Sequence, residues 1–168
     1  MADRAGTPDV TVVVVSFNTR EVLERCLEAV FAGSPGLARE VIVVDNASSD
    51  GSPESVARRW PEVRLVVNRE NRGYAPASNQ MLRAACGRTL LALNSDALPR
   101  GDALAAPVRH LDEHSELAAG PRLLNADGST PWVCARRRGR VRHLLALGGS
   151  CLAMLARPGD GPGKAGAS

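Results

Sequence analysis

Short unbroken apolar runs alternate along this chain with stretches in which apolar residues recur every three or four positions. The first run, VTVVVV at 10–15, is β-branched throughout and polar at neither end of its core. Such a run marks a strand covered on both faces, as in a parallel sheet. It gives way to Ser16, Phe17 and Asn18. Asn18 followed by Glu21 reads as a capping box, the amide taking an orphan N–H and the carboxylate reaching back. Val22, Leu23, Cys26, Leu27 and Val30 then fall at helical spacing, and Gly33 stops the helix.

The same unit repeats. VIVV at 41–44 is a second strand that empties into Asp45 and Asn46. Ser52 before Pro53 starts a short helix, with proline at its first position, closing near Trp60 and Pro61. A third strand spans 63–67 and ends at Asn68, and a helix is expected over 76–85, up to Gly87. A fourth strand spans 89–93, and a helix over 102–114 should be kinked or split by Pro107. Residues 117–124 read as a further extended segment, with a turn at Asp127 and Gly128. Strands alternating with helices predict an α/β fold: a mostly parallel sheet, right-handed crossovers and helices on both faces. Beyond this the chain changes character. ARRRGRVRH at 135–143 is basic, LLALGGSCLAML at 144–155 is apolar but short, and PGDGPGKAGAS at 158–168 is a flexible tail.

Composition adds limits. A chain of 168 residues, 44% hydrophobic and 23% charged, can build one globular core. Aromatics are only 3%, so that core is made of Val, Leu and Ala. A net charge of +3 is too mild to argue for nucleic acid, and none is expected as a partner. The start, MADRAGTPD, lacks the apolar stretch of a secretory leader, and no run approaches the roughly 18 apolar residues of a membrane span. The 4 cysteines (Cys26, Cys86, Cys134 and Cys151) form no C-x-x-C pair and read as reduced thiols of a cytoplasmic protein. His110 and His114 lie four apart without a third zinc ligand and read as surface residues.

The candidate chemistry lies where the strands end. In an open parallel sheet, ligands bind beyond the carboxyl ends of the strands. Here those ends deliver Ser16 and Asn18, Asp45 and Asn46, Asn68 to Arg72, and Asn94 with Asp96. Asn, Asp and Ser are also ordinary turn formers, which explains any single end. Four such ends together suggest a ligand held by side-chain hydrogen bonds and by a cation on carboxylate. The first turn, SFNTRE, is not G-x-G-x-x-G, and neither a phosphate-loop lysine motif nor G-x-S-x-G occurs.

Five segments resemble one family in the same order: VVVVSFNT (12–19), VIVVDNASSDGS (41–52), NRENRGYAPASN (68–79), LALNSD (91–96) and GPRLLNADGS (120–129). The chain is similar over about 10–138 to family 2 glycosyltransferases, in the flavour of bacterial rhamnosyltransferases. The resemblance implies a GT-A fold, Rossmann-like, over 8–138, with 139–157 a segment of unassigned role. It implies a nucleoside-diphosphate sugar as donor, UDP- or dTDP-linked, and a Mg²⁺ or Mn²⁺ ion. Position by position, Ser16 and Asn18 would line the nucleotide pocket and Asp45 would hydrogen-bond the base. Asn71, Arg72 and Gly73 would close over base and ribose, with Asn79 on the helix behind. Asn94 and Asp96 stand at the outer positions of the family's D-x-D element, Asp96 being the implied metal ligand. Mg²⁺ takes oxygen ligands and often only one or two protein carboxylates, so one Asp96 can suffice.

The resemblance also implies a C-terminal half with an acceptor surface and a general base, which 139–168 does not match. After Arg138 the only acidic residue is Asp160, and no catalytic base is assigned. The implied activity is metal-dependent, inverting transfer of sugar to a glycan or lipid-linked acceptor in cell-envelope polysaccharide synthesis. The alternative is a non-catalytic fragment that binds the sugar nucleotide. A helix over 144–155 would allow peripheral contact with the inner face of a membrane. The basic run at 136–142 lacks aromatic neighbours and reads as a solvated linker.

Overall fold

The computed structural model describes residues 6–113 together with 118–119, 124, 129 and 154–156. Its elements are β1 (Val10–Ser16), α1 (Arg20–Ala32), β2 (Arg39–Asp45), α2 (Ser52–Arg59), β3 (Arg64–Val67), α3 (Tyr74–Leu82), β4 (Thr89–Asn94), α4 (Ala105–Glu113), β5 (Ala118–Ala119) and β6 (Met154–Ala156). The strands form one sheet in the order β3-β2-β1-β4-β6-β5. The first four in that order run parallel, and β6 is antiparallel to both β4 and β5.

Alternation along the strands builds two cores. Val10, Val12 and Val14 of β1, Val41 and Val43 of β2, and Leu91 and Leu93 of β4 face one side. There they meet Leu23, Cys26, Leu27 and Val30 of α1, Val56 of α2, and Val108 and Leu111 of α4. Val13, Ile42, Val44 and Leu90 face the other side, against Ala77 and Met81 of α3. Each such valine or leucine, taken fully out of water, contributes roughly 1.5–3 kcal/mol. The predicted α/β architecture is therefore realised, with helices on both faces of a mostly parallel sheet.

Three local expectations are corrected. Asn18 does not cap α1: it has φ 51°, in the left-handed region, and the N-cap residue is Thr19, whose side chain makes no capping bond. The first N–H of α1, that of Arg20, is taken by Asp50 at 2.8 Å. Pro107 neither kinks nor splits α4, because the helix begins at Ala105 and places the proline in its first turn. The first four N–H groups of a helix have no partner within it, so the missing one costs nothing there. Pro53 likewise sits in the first turn, at the second position of α2 rather than the first, because Ser52 is already helical.

The expected 117–124 segment is described only at β5 and at Leu124, which is exposed. Met154 and Leu155, the end of the apolar 144–155 stretch, are strand and pair with Ala92 and Leu91, so a helix over the whole stretch is excluded. The turn at Asp127 and Gly128, the basic run and the tail lie outside the described residues. Among the described residues no helix is long and apolar enough to cross a membrane.

Candidate functional site

The sheet register brings the predicted residues to one edge. Ser16 is paired with Asp45, Asp45 with Val67, and Val15 with Asn94. Parallel neighbours lie about 4.8 Å apart, so β3, β2, β1 and β4 deliver their carboxyl ends side by side. The chain order also reverses between β1 and β4, the place where open α/β sheets hold their ligands.

Asp45 is 1% exposed. Its Oδ2 accepts the N–H of Ser48 at 2.8 Å, closing a turn over Asn46 and Ala47. Its Oδ1 is buried and has no hydrogen-bond partner among the described residues. An orphaned buried acceptor costs about 1–3 kcal/mol, more when charged, so this oxygen marks a place for a donor. Ala47 has φ 68°, a left-handed conformation that a residue with a Cβ rarely adopts. Such strain costs of order 1–3 kcal/mol and concentrates where a backbone must be aimed.

Ser16 is also buried, its hydroxyl 3.0 Å from that of Thr19 and its carbonyl accepting the N–H of Asn46 at 2.8 Å. Asn18 is exposed and serves the next loop: its Oδ1 accepts from Ser49 N–H at 2.8 Å, and its own N–H donates to Ser48 Oγ at 2.9 Å. The β1–α1 and β2–α2 turns are thus laced together. The neighbouring Phe17 ring is 45% exposed on the same rim.

Asn71, Arg72 and Gly73 follow β3 and are held to the end of β2 by Asn46, which is 2% exposed. Asn46 Nδ2 donates to Asn71 Oδ1 (2.9 Å) and to the Gly73 carbonyl (3.2 Å). Asn46 Oδ1 accepts from Asn68 Nδ2 (3.0 Å) and from Arg72 N–H (3.2 Å). The Arg72 guanidinium is exposed and touches Glu70 at 3.6 Å, a surface pair of little energetic weight. Asn79 is exposed on α3, and the side chain that reaches inward is its neighbour: Gln80 exchanges two bonds with Asn68, at 3.1 and 3.0 Å.

On the far side of β1, Asn94 ends β4 half-buried, and its carbonyl accepts from Ala97 N–H at 3.1 Å. That turn carries Asp96 out to an exposed position. Among the described residues no group of three His, Cys, Asp or Glu could enclose a metal. A single carboxylate beside an amide is nevertheless a fitting donor set for Mg²⁺ or Mn²⁺, hard cations that keep waters and phosphate oxygens as most of their ligands.

Reading the sequence identified Asn46 and Asn68 only as polar strand ends and missed Gln80. The available signal was the amide content itself, since Asn at the ends of two adjacent strands, followed by Gln on the next helix, can form a closed set of bonds. The GPRLLNADGS segment and His114 lie outside the described residues, apart from Leu124 and Ser129.

The chain matches the family model for glycosyl transferase family 2 over residues 11–152. It is 39% identical over 106 residues to the succinoglycan biosynthesis protein ExoO of Rhizobium meliloti, covering 62% of this chain and 30% of that protein. It is 37% identical over 75 residues to an N-acetylglucosaminyl-diphospho-decaprenol L-rhamnosyltransferase of Mycobacterium tuberculosis, covering 42% and 23%. Among solved structures, the mannosyltransferase PcManGT of Pyrobaculum calidifontis, in complex with GDP-Man and Mn²⁺, superposes with a TM-score of 0.61 at 36% identity, over 69% of this chain and 36% of that one. The matched region thus spans about a third or less of each of these relatives. Fold, order of motifs and family match agree: the chain belongs to glycosyl transferase family 2.

Proposed function

We propose that this protein binds a nucleoside-diphosphate sugar across the carboxyl ends of β2, β1 and β4 and transfers its sugar to a glycan or lipid-linked acceptor. The observation that carries the reading is the unpartnered, buried Oδ1 of Asp45. A carboxylate oxygen there suits the imide N–H of uracil or thymine, and also the N–H edge of guanine. The GDP-Man complex of PcManGT supports a nucleotide sugar as donor and leaves the base open. Phe17 offers an exposed ring on which a base can stack.

Ser16 and Asn18 hold the rim beneath the ribose, while Asn71, Arg72 and Gly73 stand over it. Arg72 supplies a planar donor fork for phosphate oxygens. Asp96, with Asn94 beside it, is the residue that would hold Mg²⁺ or Mn²⁺. A divalent ion bound there would neutralise the charge that develops on the leaving diphosphate. The proposed transfer is inverting: the acceptor oxygen bonds to the anomeric carbon as the diphosphate departs from the opposite side, and a base takes the acceptor's proton. The proposed setting is the cytoplasm, with a lipid-linked acceptor reached at the inner face of the membrane.

The test is incubation of the protein with UDP-, dTDP- and GDP-sugars, Mn²⁺ and candidate acceptors, followed by mass spectrometry. Nucleotide release with a sugar-bearing product of inverted anomeric configuration supports the proposal. Tight nucleotide binding without any product favours the second reading, a chain that binds the donor without transferring it. Neither binding nor product overturns both.

A further inference from the structure

The amide of Asn46 spends its whole bonding capacity on one segment. It has two donor hydrogens and two acceptor lone pairs, and all four are used, on Asn68, Asn71, Arg72 and Gly73. The backbone partners leave no ambiguity about which way the amides point. The Arg72 N–H can only donate, so Asn46 presents its oxygen there, and the Gly73 carbonyl can only accept, so Asn46 presents its nitrogen to it. The Gly73 N–H, 2.9 Å from Asn71, fixes that residue's oxygen inward. Asn71 Oδ1 therefore takes two hydrogen bonds from within the protein, which leaves the Nδ2 of this exposed residue to serve as a donor.

Asn46 is itself buried and held from both sides. Its N–H donates to the Ser16 carbonyl, its residue is 2% exposed, and the turn behind it is set by the Asp45–Ser48 bond and the left-handed Ala47. The two ends of the segment it grips have further anchors: Asn68 donates its N–H to the Asp45 carbonyl at 2.8 Å and exchanges two bonds with Gln80, and the Gly73 carbonyl accepts from Ala77 N–H at 3.4 Å. Between those ends, Arg69, Glu70, Asn71 and Arg72 are exposed, and the Arg72 guanidinium makes a loose contact with Glu70, so Asn46 is what holds the middle of the segment to β2.

We propose that Asn46 is a positioning residue, resting on the nucleotide-sugar reading above. It pins 68–73 to the end of β2 and sets Asn71 so that its N–H₂ group is offered to an oxygen acceptor of the ligand, a ribose hydroxyl or a phosphate. Asn46 touches no ligand in this scheme, whereas Asn71 does, and only as a donor.

The experiment pairs hydrogen–deuterium exchange of the 68–73 segment with nucleotide affinity, using the full chain with UDP, dTDP and GDP in Mn²⁺. The variants are Asn46→Ala, Asn46→Asp, Asn71→Asp and Arg59→Ala, the last loosening the α1–α2 contact far from this loop. Both Asn46 variants should speed exchange in 68–73 at least tenfold, leave β1 and α1 protected, and weaken nucleotide binding about tenfold or more. Asn71→Asp, which replaces the donor with an anion, should weaken nucleotide binding without speeding exchange. Arg59→Ala should change neither. Unchanged exchange in the Asn46 variants, or affinity within twofold of the parent, overturns the proposal. A parent protein that binds no nucleotide defeats the underlying reading instead, and the exchange arm then decides alone whether Asn46 pins the segment.

Discussion

Asp50 accepts the N–H of Arg20, thirty residues before it, at 2.8 Å, so the first turn of α1 is capped from the loop that precedes α2. Its other oxygen accepts the N–H and hydroxyl of Ser52, at 3.0 and 2.6 Å. One carboxylate thus serves the N-termini of two helices, where negative charge is favoured by the helix dipole as well. Asp50→Ala should destabilise the fold by about 1–2 kcal/mol, the usual range for a lost cap. Urea unfolding, read as a shift of midpoint at unchanged slope, checks this.

Acid should remove the same support. Partial burial pushes the Asp50 carboxyl up, but the hydrogen bonds from Ser52 and Arg20 outweigh it and hold the group below its ordinary range. The Ser55 hydroxyl, followed by Arg20 and Arg59, lowers Glu24, and the Arg88 guanidinium lowers Asp9. For each, the unfolded chain binds the proton more readily than the folded one. Stability is therefore complete above the ordinary carboxylate value of about 4 and falls as pH drops through the lower folded values. Thermal unfolding between pH 7 and pH 2 should show that loss, and Asp50→Asn should flatten part of it.

Gly87 has no room for a side chain. A Cβ there would lie 2.5 Å from Thr11 N and 2.7 Å from Val10 C, both backbone atoms of the central strand. The Gly87 N–H also donates to Thr11 Oγ1 at 2.8 Å, and that hydroxyl in turn donates to Glu40. Gly87→Ala must push two main chains apart and should cost about 1–3 kcal/mol or more. A fall in unfolding temperature with unchanged nucleotide specificity is the expected outcome, since this contact lies at the opposite end of the sheet from the candidate site.

Gly73 presents the converse case. Among the described residues no atom lies within 4 Å of a Cβ built there, yet its φ of 79° and ψ of 170° are essentially reserved for glycine. Gly73→Ala should leave the core intact and disturb 68–73, so that nucleotide affinity falls more than tenfold with little change in unfolding temperature. Titration calorimetry beside thermal unfolding separates the two effects.

The parallel core was legible because its strands are apolar on both faces: VTVVVV and VIVV have no polar alternation to mislead a reader, and each ends in a polar turn. The edge that carries the candidate site was legible for the same reason, and the register sets Ser16 beside Asp45 and Val15 beside Asn94. Local signals failed where a long-range partner supplied the bond. Asn18 and Glu21 have the spacing of a capping box, but Asp50 satisfies Arg20 from another loop, which frees Asn18 to bind Ser49. For Asn46 and Gln80 the amide content was the one signal, and it did not fix their partners, because those depend on which segments the sheet places opposite them. Strand β6 pairs with Ala92 across more than sixty residues of chain, a contact that no periodicity announces.

In the proposed site the strand ends hold a nucleotide with the help of a metal, Asp45 on the base and Asp96 on the ion. Thermal unfolding with UDP, dTDP or GDP, with and without Mn²⁺, in the parent protein, Asp45→Asn and Asp96→Ala tests it most directly. Nucleotide at a hundredfold over its dissociation constant should add about 2.7 kcal/mol of stability. At least one nucleotide should stabilise the parent protein, more so with Mn²⁺, with the metal enhancement lost in Asp96→Ala and the nucleotide effect weakened in Asp45→Asn. No stabilisation by any nucleotide, or the full Mn²⁺ enhancement in Asp96→Ala, would contradict it.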